Sequence, residues 1–376
     1  FVLTMIEIVA VQNKEDLRKF VLFPFDLYKD HPYWVPPMIK EELETLDIAV
    51  NPVFQNASAH YLLAFKSGKI VGRMAVIMNR IEIEEQSKPK LRFGWFDVID
   101  DLSVTKGLIE RAIEIGKEHQ LEYIEGPVGF TNMEKAGILT MGFERLNTMI
   151  TNYNYPYYAE HFEALGFEKQ ATWVEFKMVI HPKASDKVLK FSRLIKERYE
   201  LSVLKFKNKK QIMPYVDRMF ELLNATYSSL QTFVPIQPYQ VTHYKEKYFP
   251  FIKPDYINCV QDKHGELIAF AIVMPSFSKA LKKANGRLFP FGWFHILKAQ
   301  YFNDTAAFYL IGIHPDYQGK GVTAILFDEI QNLFNRKGIV IGESNPELIE
   351  NTAVQRLWKD FNPVQHKERS TFKKLI

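Results

Sequence analysis

The sequence is poor in cysteine, with Cys259 the single one among 376 residues. One cysteine excludes an intrachain disulfide and any zinc or iron–sulfur site built from several cysteines, and it is typical of a reducing compartment. Long apolar runs are also lacking, since stretches such as Leu267–Met274 fall far short of the roughly 20 residues of a membrane-spanning helix. The first five residues lack the basic region of a signal peptide. We therefore expect a cytoplasmic protein without a transmembrane segment, and peripheral membrane contact stays open.

An excess of one charge is missing too. Lys and Arg total 48 against 44 Asp and Glu, for a net charge of +4, and the two signs are interspersed without a long basic block. This balance requires no nucleic-acid partner, so we expect none, and we expect no metal. Aromatic residues, in contrast, make up 14% of the chain. They provide a large apolar surface, either for a core or for a pocket that holds an apolar ligand.

The order of predicted elements repeats along the chain. A length of 376 residues predicts two or three domains. In each half, the apolar patterns predict a strand, a helix, a hairpin, a strand, a helix, a strand, a helix and a strand. The repeat therefore predicts an α/β protein with two tandem domains, residues 1–182 and 183–376, and a seam near residues 182–201.

One segment, Phe308–Phe334, combines an apolar strand, a glycine-containing turn and an amphipathic helix. Gly319 and Gly321 allow the backbone to turn sharply and to approach a ligand closely. The free N–H groups and the dipole at the start of the helix favour an anion, and Lys320 adds positive charge at the rim. The segment predicts a cradle for a phosphate or pyrophosphate. The alternative is a glycine-rich turn that caps an ordinary helix.

This segment resembles the acyl-CoA-binding motif of the GNAT superfamily of acyltransferases. In that motif Gln or Arg is followed by two residues, a Gly, one residue, and a Gly or Ala. Here the pattern is Gln318, Gly321 and Thr323, so Thr replaces the last small residue. The resemblance implies a mixed twisted sheet flanked by helices in each domain, and acyl-CoA as cosubstrate. It implies that the pyrophosphate binds the amides of Gly319, Lys320, Gly321, Val322 and Thr323, and that the pantetheine arm pairs with Ile311 and Ile313.

A second matching segment runs from Asn351 to Phe361. GNAT proteins commonly have Asn-x-x-Ala-x-x-Leu-Tyr here, and the Tyr can protonate the leaving thiolate. In this sequence Asn351 matches and is placed among the cofactor-binding residues, whereas Trp358 replaces the Tyr and is placed beside the substrate. Three alternatives stay open. Another group acts as the acid, the thiolate leaves unaided because its pKa is near 8.5, or the domain does not catalyse.

Few residues are candidates for the chemistry. Glu343 and Ser344 end the strand beside the expected thioester, and Glu343 is our candidate for a general base on the attacking amine. The alternative for Glu343 is a solvated carboxylate or a cap paired with Asn345. Arg73, on a predicted hairpin strand, is a candidate for binding a substrate carboxylate or phosphate, with a solvated strand charge as the alternative. We expect His314 and Cys259 to be structural.

The first half lacks the glycine cradle. Asp100 and Asp101 stand at the corresponding helix start, where they suit capping and would repel a pyrophosphate. The chain as a whole resembles a bacterial family of tandem GNAT-like proteins, on phrases such as His31–Pro37, Asn51–Phe54 and Phe233–Pro235. Some members of that family have been linked to N-acylation of long-chain bases. We therefore expect CoA binding in the second half alone.

The resulting hypothesis is an acyl-CoA-dependent N-acyltransferase that transfers an acyl group, including a long-chain one, to an amine such as an amino acid, a sphingoid-like base or another small amine. The alternative is a non-catalytic CoA- or lipid-binding or regulatory protein on a degenerate scaffold. A third reading, aminoacyl transfer from tRNA, is disfavoured by the low net charge. The aromatic segment Phe277–Phe302 is interpreted either as packing between domains or as a surface that receives a lipid-like substrate.

Overall fold

The computed structural model describes residues 5–228, 230, 233–248, 252–351 and 355–376. The chain forms two compact units, and each gathers segments that are distant in sequence. The first unit comprises residues 1–173, 277–296 and 367–376, and the second comprises residues 174–276 and 297–366. The domains predicted from the repeat, 1–182 and 183–376, are contiguous in sequence and stay a prediction.

Within the described residues, six strands and five α-helices lie wholly in the first unit, which also contains the end of the last strand. The strands are β1 (Glu7–Ala10), β2 (Ala57–Lys66), β3 (Lys69–Asn79), β4 (Lys90–Val98), β5 (Tyr123–Gly126) and β6 (Ile138–Met141). The helices are α1 (Lys14–Leu27), α2 (Ile39–Leu46), α3 (Leu102–Glu118) and α4 (Tyr157–Ala164), with α8 (Ser278–Ala284) from later in the chain. Strand β7 (Glu168–Val179) leads from the first unit into the second.

The second unit has the same kinds of element. Its helices are α5 (Asp186–Arg198), α6 (Lys209–Tyr227), α7 (Pro238–Tyr248) and α10 (Thr323–Lys337), and α9 (Gly292–Tyr301) begins in the first unit and ends in the second. Its strands are β8 (Ser202–Leu204), β9 (Ile257–Gln261), β10 (Leu267–Pro275), β11 (Thr305–Ile313), β12 (Ile341–Glu343) and β13 (Glu347–Leu348). The last strand, β14 (Val364–Leu375), starts in the second unit and continues into the first.

In the first unit, the sheet begins with four antiparallel strands in the order β1, β2, β3 and β4. Strand β5 then pairs with β4 in parallel, and β14 pairs with β5 in the antiparallel sense, with Phe372 opposite Gly126. Helix α3 covers one face because its apolar side chains recur at helical spacing. The buried ones are Val104, Leu108, Ile109, Ala112 and Ile115. The result is a mixed sheet with a helix packed on it.

The second unit repeats this pattern. Strands β8, β9, β10 and β11 are antiparallel neighbours, and β12 joins β11 in parallel and the end of β7 in the antiparallel sense. Helix α10 buries an apolar face against the sheet, with Ile325 and Leu326 fully buried. It ends at Gly338, whose positive φ of 71° is typical of the residue after a helix. The predicted α/β class with mixed sheets and flanking helices is confirmed.

Several elements were not predicted. Helix α5 occupies the stretch that we interpreted as a seam, where Ser185 caps its first turn by accepting a hydrogen bond from the Val188 amide. Helices α2, α7, α8 and α9 were also missed. The helix predicted over 352–361 lies partly outside the described residues, and Arg356–Phe361 is a 3-10 helix. Strands β6 and β13 were not predicted either, whereas the remaining strands and α-helices overlap their predicted positions.

A buried ion network stabilises the first unit. Glu82 is inaccessible to solvent and binds Arg92 Nε at 2.5 Å and Lys90 Nζ at 2.8 Å. Burial acts to raise the pKa of Glu82, but the two cations outweigh it and hold the pKa at about 2. Removing one partner of such a network leaves buried charges without compensation.

We predict that Glu82→Ala lowers the free energy of unfolding by about 3–5 kcal/mol at pH 7, because Arg92 and Lys90 then lose their shared carboxylate. The exposed neighbour Glu84 supplies the control, and Glu84→Ala should change the value by less than about 0.5 kcal/mol. Urea unfolding followed by circular dichroism measures both. Equal effects of the two substitutions would contradict the prediction.

The sign of the pH dependence follows from the depressed pKa of Glu82. The carboxylate stabilises the folded state fully above its ordinary value of 4.5, and this contribution is lost as the pH falls toward 2. The urea concentration at the unfolding midpoint of the wild-type protein should therefore decrease as the pH is lowered from 4.5 to 2. In Glu82→Ala, the contribution of Glu82 to this decrease should be missing.

Candidate functional site

The glycine turn lies between β11 and α10, as predicted. Gly319 and Gly321 have φ values of +73° and +83°, the left-handed region that favours glycine. No side chain caps the start of α10. The Lys320 amide donates to the Tyr317 carbonyl at 3.2 Å, and the Ala324 amide donates to the Gly321 carbonyl at 3.0 Å.

These contacts narrow the set of amides suited to an anion. Of the five predicted donors, Lys320 is already engaged within the turn. Helix α10 begins at Thr323, and the first N–H groups of a helix have no hydrogen-bond partner within the helix. The backbone amides of Val322 and Thr323 belong to this group. With the dipole of α10 behind them, these amides and those of the two glycines form a site suited to a phosphate.

The two glycines differ in their surroundings. A Cβ atom at Gly319 would meet nothing within 4 Å, so this residue faces open space. A Cβ atom at Gly321 would lie 2.7 Å from Cε1 of Phe191, on α5. Gly321 therefore lets α5 pack against the turn, and Gly319 is the glycine beside which a ligand has room.

The side chains around the turn are held by local contacts. Lys320 is exposed, with its Nζ 5.6 Å and 5.4 Å from the ring centres of Tyr199 and Tyr317. Gln318 donates from Nε2 to the Ile313 carbonyl at 3.2 Å. His314 accepts a hydrogen bond from the Asp316 amide through Nδ1, which agrees with the expected structural role at the turn.

Strands β11 and β12 pair over a short distance and then separate. The parallel register covers Thr305–Ala307 of β11 against Ile341–Glu343 of β12. Beyond this point, Asn345 bridges to β11 by donating from Nδ2 to the Tyr309 carbonyl. The part of β11 that leads to the glycine turn thus has an edge that β12 does not cover.

The end of α6 contacts this edge of β11. The Tyr227 hydroxyl donates to the Ile311 carbonyl at 2.9 Å, and the Thr226 hydroxyl donates to the Ile313 carbonyl and accepts from the Ile313 amide, both at 3.1 Å. The predicted pairing of a pantetheine arm with Ile311 and Ile313 therefore requires these side chains to release the strand. Burial, together with the nearby charge of Glu347, raises the pKa of Tyr227 to about 12.

The predicted catalytic residues lie at the end of β12. Glu343 pairs through its backbone with Ala307 and Lys177. Ser344 is buried, and its hydroxyl accepts from the Phe176 amide at 2.9 Å and donates to the Asn345 carbonyl at 3.0 Å. These contacts hold Ser344 in a structural position. A catalytic role for either residue stays a prediction.

Sequence reasoning missed a carboxylate four residues further on. Glu347 is partly buried in β13, and its Oε1 accepts a hydrogen bond from Nε1 of Trp358 at 2.7 Å. Its Oε2 is also buried and has no hydrogen-bond partner within the described residues. Burial raises the pKa of Glu347 to about 7, although the hydrogen bond from Trp358 and the nearby Ser344 hydroxyl act to lower it. A carboxyl group with this pKa can exchange a proton at neutral pH.

Trp358 thus has a definite position in the second unit. Its ring is buried and packs against Phe308 of β11 and Phe327 of α10, with ring centres 4.7 Å and 5.1 Å away. From there it orients Glu347 through the indole N–H. Asn351 follows β13, and its backbone amide donates to the Leu348 carbonyl at 2.9 Å. A role for Asn351 and Trp358 in ligand binding stays a prediction.

Arg73 belongs to the first unit and is buried there. Its Nε and Nη2 contact Asp97 Oδ2 at 2.8 Å and 2.7 Å, and its Nη1 donates to the Phe20 carbonyl at 2.9 Å. The Tyr28 hydroxyl donates to Asp97 Oδ1 at 3.0 Å. The alternative of a solvated strand charge for Arg73 is therefore wrong, and a substrate contact of Arg73 stays a prediction.

Three further observations bear on the expectations from composition. Cys259 is fully buried, and burial raises the pKa of its thiol, which agrees with a structural role. Within the described ranges, no cluster of three or more His, Cys, Asp or Glu side chains forms a metal site. Over the same ranges, none of the helices combines the length and apolar character needed to cross a bilayer.

Two curated proteins are similar to this chain. Protein YghO of Escherichia coli (strain K12) is 26% identical over 370 residues, which cover 97% of this chain and 94% of that protein. The bacterial ceramide synthase of Caulobacter vibrioides (strain NA1000 / CB15N) is 21% identical over 298 residues, which cover 78% of this chain and 76% of that protein. A comparison with protein-family models found no match.

The fold is also found in solved structures. A tandem GNAT protein from the clavulanic acid biosynthesis pathway matches 99% of this chain and 98% of its own length, with a TM-score of 0.58 and 12% sequence identity. A GCN5-related N-acetyltransferase from Sphaerobacter thermophilus matches 98% and 95%, with a TM-score of 0.53 and 9% identity. The chain therefore has the fold of the GNAT superfamily, and the predicted resemblance is confirmed at this level.

Proposed function

We propose that this protein transfers an acyl group from an acyl-CoA thioester to a small-molecule amine. The observation that carries the proposal is the glycine turn at the start of α10, a helix without a side-chain cap, beside the edge of β11 that β12 does not cover, in a GNAT fold. In this assignment, the turn holds the CoA pyrophosphate and β11 orients the pantetheine arm.

The proposed reaction needs one proton acceptor. The neutral amine nitrogen attacks the thioester carbonyl, the C–N bond forms, and the C–S bond breaks as CoA leaves as a thiolate. The proton from the amine passes to Glu347, whose pKa of about 7 suits a base near neutral pH. A backbone amide on the edge of β11 stabilises the oxyanion. A thiol pKa near 8.5 makes the thiolate a fair leaving group without a Tyr at position 358.

Calorimetry with acetyl-, hexanoyl- and palmitoyl-CoA tests the proposed substrate. We expect all three esters to bind the folded protein, and affinity that rises with chain length would support a long acyl chain. One curated relative is named bacterial ceramide synthase. For this reason, palmitoyl-CoA together with a sphingoid-like base is the first pair of substrates to assay for turnover. A folded protein that binds none of the three esters would contradict the proposal.

The second candidate function is a non-catalytic CoA- or lipid-binding protein. It is favoured by Trp358 at the position of the usual Tyr, and by Tyr227 and Thr226 on the strand edge that a pantetheine arm would use. It predicts that CoA esters bind without release of thiol in the presence of amines. A thiol-release assay therefore distinguishes the two candidates.

Trp358→Phe tests the proposed positioning of Glu347. Phenylalanine retains much of the packing against Phe308 and Phe327 but cannot donate a hydrogen bond, so the pKa of Glu347 should rise. We expect the pH at which kcat/KM is half-maximal to move up by about one unit, the effect of losing roughly one hydrogen bond. The control Phe327→Leu changes the packing and leaves the indole donor, and its midpoint should not move. If the midpoint of the pH profile is unchanged in Trp358→Phe, Trp358 does not position Glu347 for the reaction.

A further inference from the structure

An exposed group of apolar side chains, four of them aromatic, follows α8, and we call it the aromatic ridge. It consists of Leu288, Phe289, Phe291, Trp293 and Phe294, all in the first unit. Phe289 and Phe291 are 77% and 73% exposed, and Trp293 and Phe294 are 46% and 53% exposed. The four aromatic side chains are therefore not packed in a core. Such a concentration of exposed apolar surface typically marks an interaction site.

The segment just before the ridge is held in place by contacts with other parts of the first unit. Lys282 of α8 donates from Nζ to the carbonyls of His31 and Pro32 at 2.5 Å and 2.8 Å. The Ile39 amide donates to the Gly286 carbonyl at 3.0 Å, and a Cβ at Gly286 would lie 2.6 Å from Cζ of Phe25. Several independent contacts thus fix the segment just before the ridge to the first unit.

The ridge itself forms a tight turn. The Trp293 amide donates to the Leu288 carbonyl at 2.7 Å, and its indole N–H donates to the Pro290 carbonyl at 2.9 Å. A Cβ at Gly292 would lie 1.9 Å from the Arg287 carbonyl oxygen, so the turn requires glycine there. These bonds satisfy polar groups locally while the aromatic rings point to solvent.

The ridge includes Trp293, which is 46% exposed. Tryptophan carries an apolar ring with a polar N–H group, a combination enriched where a membrane meets water.

The charge of this segment has one sign. From 277 to 302 there are five Lys or Arg residues and no Asp or Glu, although the net charge of the whole chain is only +4. Lys279, Lys283 and Arg287 are exposed, and all three lie in the stretch that precedes the ridge in the sequence. Basic residues next to exposed aromatic residues are complementary to an anionic lipid surface, which accepts rings at the headgroup level and attracts the cations.

We propose that the aromatic ridge and its flanking cations dock this protein on the surface of an anionic phospholipid bilayer. The aromatic side chains enter the headgroup region, and Lys279, Lys283 and Arg287 contact lipid phosphates. This docking is peripheral and needs no helix that spans the membrane. It is independent of the proposed acyl transfer, because it rests on exposure and charge in a segment outside the glycine turn.

Vesicle flotation with the full chain tests the docking. We expect the protein to float with vesicles of phosphatidylcholine and phosphatidylglycerol at 7:3, and to bind phosphatidylcholine alone at least tenfold more weakly. The variant Phe289→Ser/Phe291→Ser/Trp293→Ser/Phe294→Ser should lose at least tenfold in partitioning. The variant Lys279→Glu/Lys283→Glu/Arg287→Glu should lose binding to the anionic vesicles. High salt should weaken the binding of the wild-type protein.

The control removes exposed apolar side chains elsewhere in the first unit. Ile48→Ser/Val50→Ser should bind the vesicles like the wild-type protein, and circular dichroism checks that every variant folds. Brominated lipids in the vesicles should quench tryptophan fluorescence in the wild-type protein, and Trp293→Phe should abolish most of this quenching. If the quadruple variant does not fold, the single variant Trp293→Phe still tests the proposal through the loss of quenching.

Light scattering after gel filtration separates the docking from self-association. Unchanged vesicle binding by the ridge variant, or undiminished quenching in Trp293→Phe, would overturn the proposal. A different outcome is that the wild-type protein does not bind vesicles but forms an oligomer, which the ridge substitutions convert to a monomer. This result would overturn membrane docking and would show that the ridge binds a second copy of the chain.

Discussion

Replacing Glu347 with glutamine is expected to lower kcat for amine acylation by about 10²–10⁴-fold, the usual contribution of a general base. Glutamine can still accept the Trp358 hydrogen bond through its amide oxygen but cannot take a proton from the amine. In the wild-type protein the rate should rise with pH through about 7, because the carboxylate is the active form. This limb should disappear in Glu347→Gln. Thiol release at saturating acyl-CoA, measured from pH 5.5 to 9, checks both effects.

The matched control for this prediction is Glu350→Gln, which neutralises an exposed carboxylate three residues away and should leave the rate unchanged. Calorimetry with CoA should give the same affinity for Glu347→Gln and the wild-type protein, since Glu347 is assigned to the reaction and not to the pyrophosphate. A rate unaffected by Glu347→Gln would remove it as the base. If Glu343→Gln instead caused the large loss, the base would be Glu343, as the sequence pattern indicated.

The second large effect is expected at Gly319, where Asp and Asn form a matched pair. Both side chains tolerate a positive φ better than other residues, and the position faces open space. Asp places a negative charge beside the proposed pyrophosphate site, whereas Asn has the same shape and no charge. At a separation of about 8 Å and an effective dielectric constant of about 20, the repulsion is about 2 kcal/mol. We therefore expect Gly319→Asp to bind CoA about thirtyfold more weakly than Gly319→Asn.

Calorimetry at low and moderate salt measures this difference, which should shrink as salt screens the charges. Gly321 is less suitable for the test. A larger side chain there meets Phe191 of α5, so a loss of binding would not distinguish a lost cradle from a displaced helix. Equal CoA affinity of the Asp and Asn variants at Gly319 would show that the pyrophosphate does not bind at this turn.

The sequence predicted much of the fold because apolar periodicity and turn residues are local signals. The hairpin around Ser67–Lys69 and helix α3 illustrate this, since alternation and helical spacing are sufficient to locate them. The glycine turn was predicted for the same reason, because Gly319 and Gly321 require conformations that only a few residues adopt readily.

Features that depend on distant contacts were not predictable in this way. Glu347 follows Pro346 in a stretch without periodicity, and its environment depends on Trp358, eleven residues later. The burial of Arg73 depends on Asp97 and Phe20. Helix α5 offered a local signal that we did not use, namely Ser185 as an N-cap before an amphipathic pattern.

The end of β14 shows the same limit for domain organisation. The sequence predicts a strand over Ser370–Leu375, and the structure contains one over Val364–Leu375. Its pairing with β5, at Phe372 and Gly126, links segments almost 250 residues apart in the sequence. Nothing in the pattern of one strand specifies so distant a neighbour.

The most direct test of acyl transfer is to follow free thiol and amide product together, by a thiol reagent and by mass spectrometry, with palmitoyl-CoA and a panel of amines. Acyl transfer predicts equal amounts of free CoA and N-acyl amide, formed by the wild-type protein and reduced by at least about 100-fold in Glu347→Gln. A folded protein that binds the ester but forms no amide with any amine would contradict catalysis and favour the binding protein.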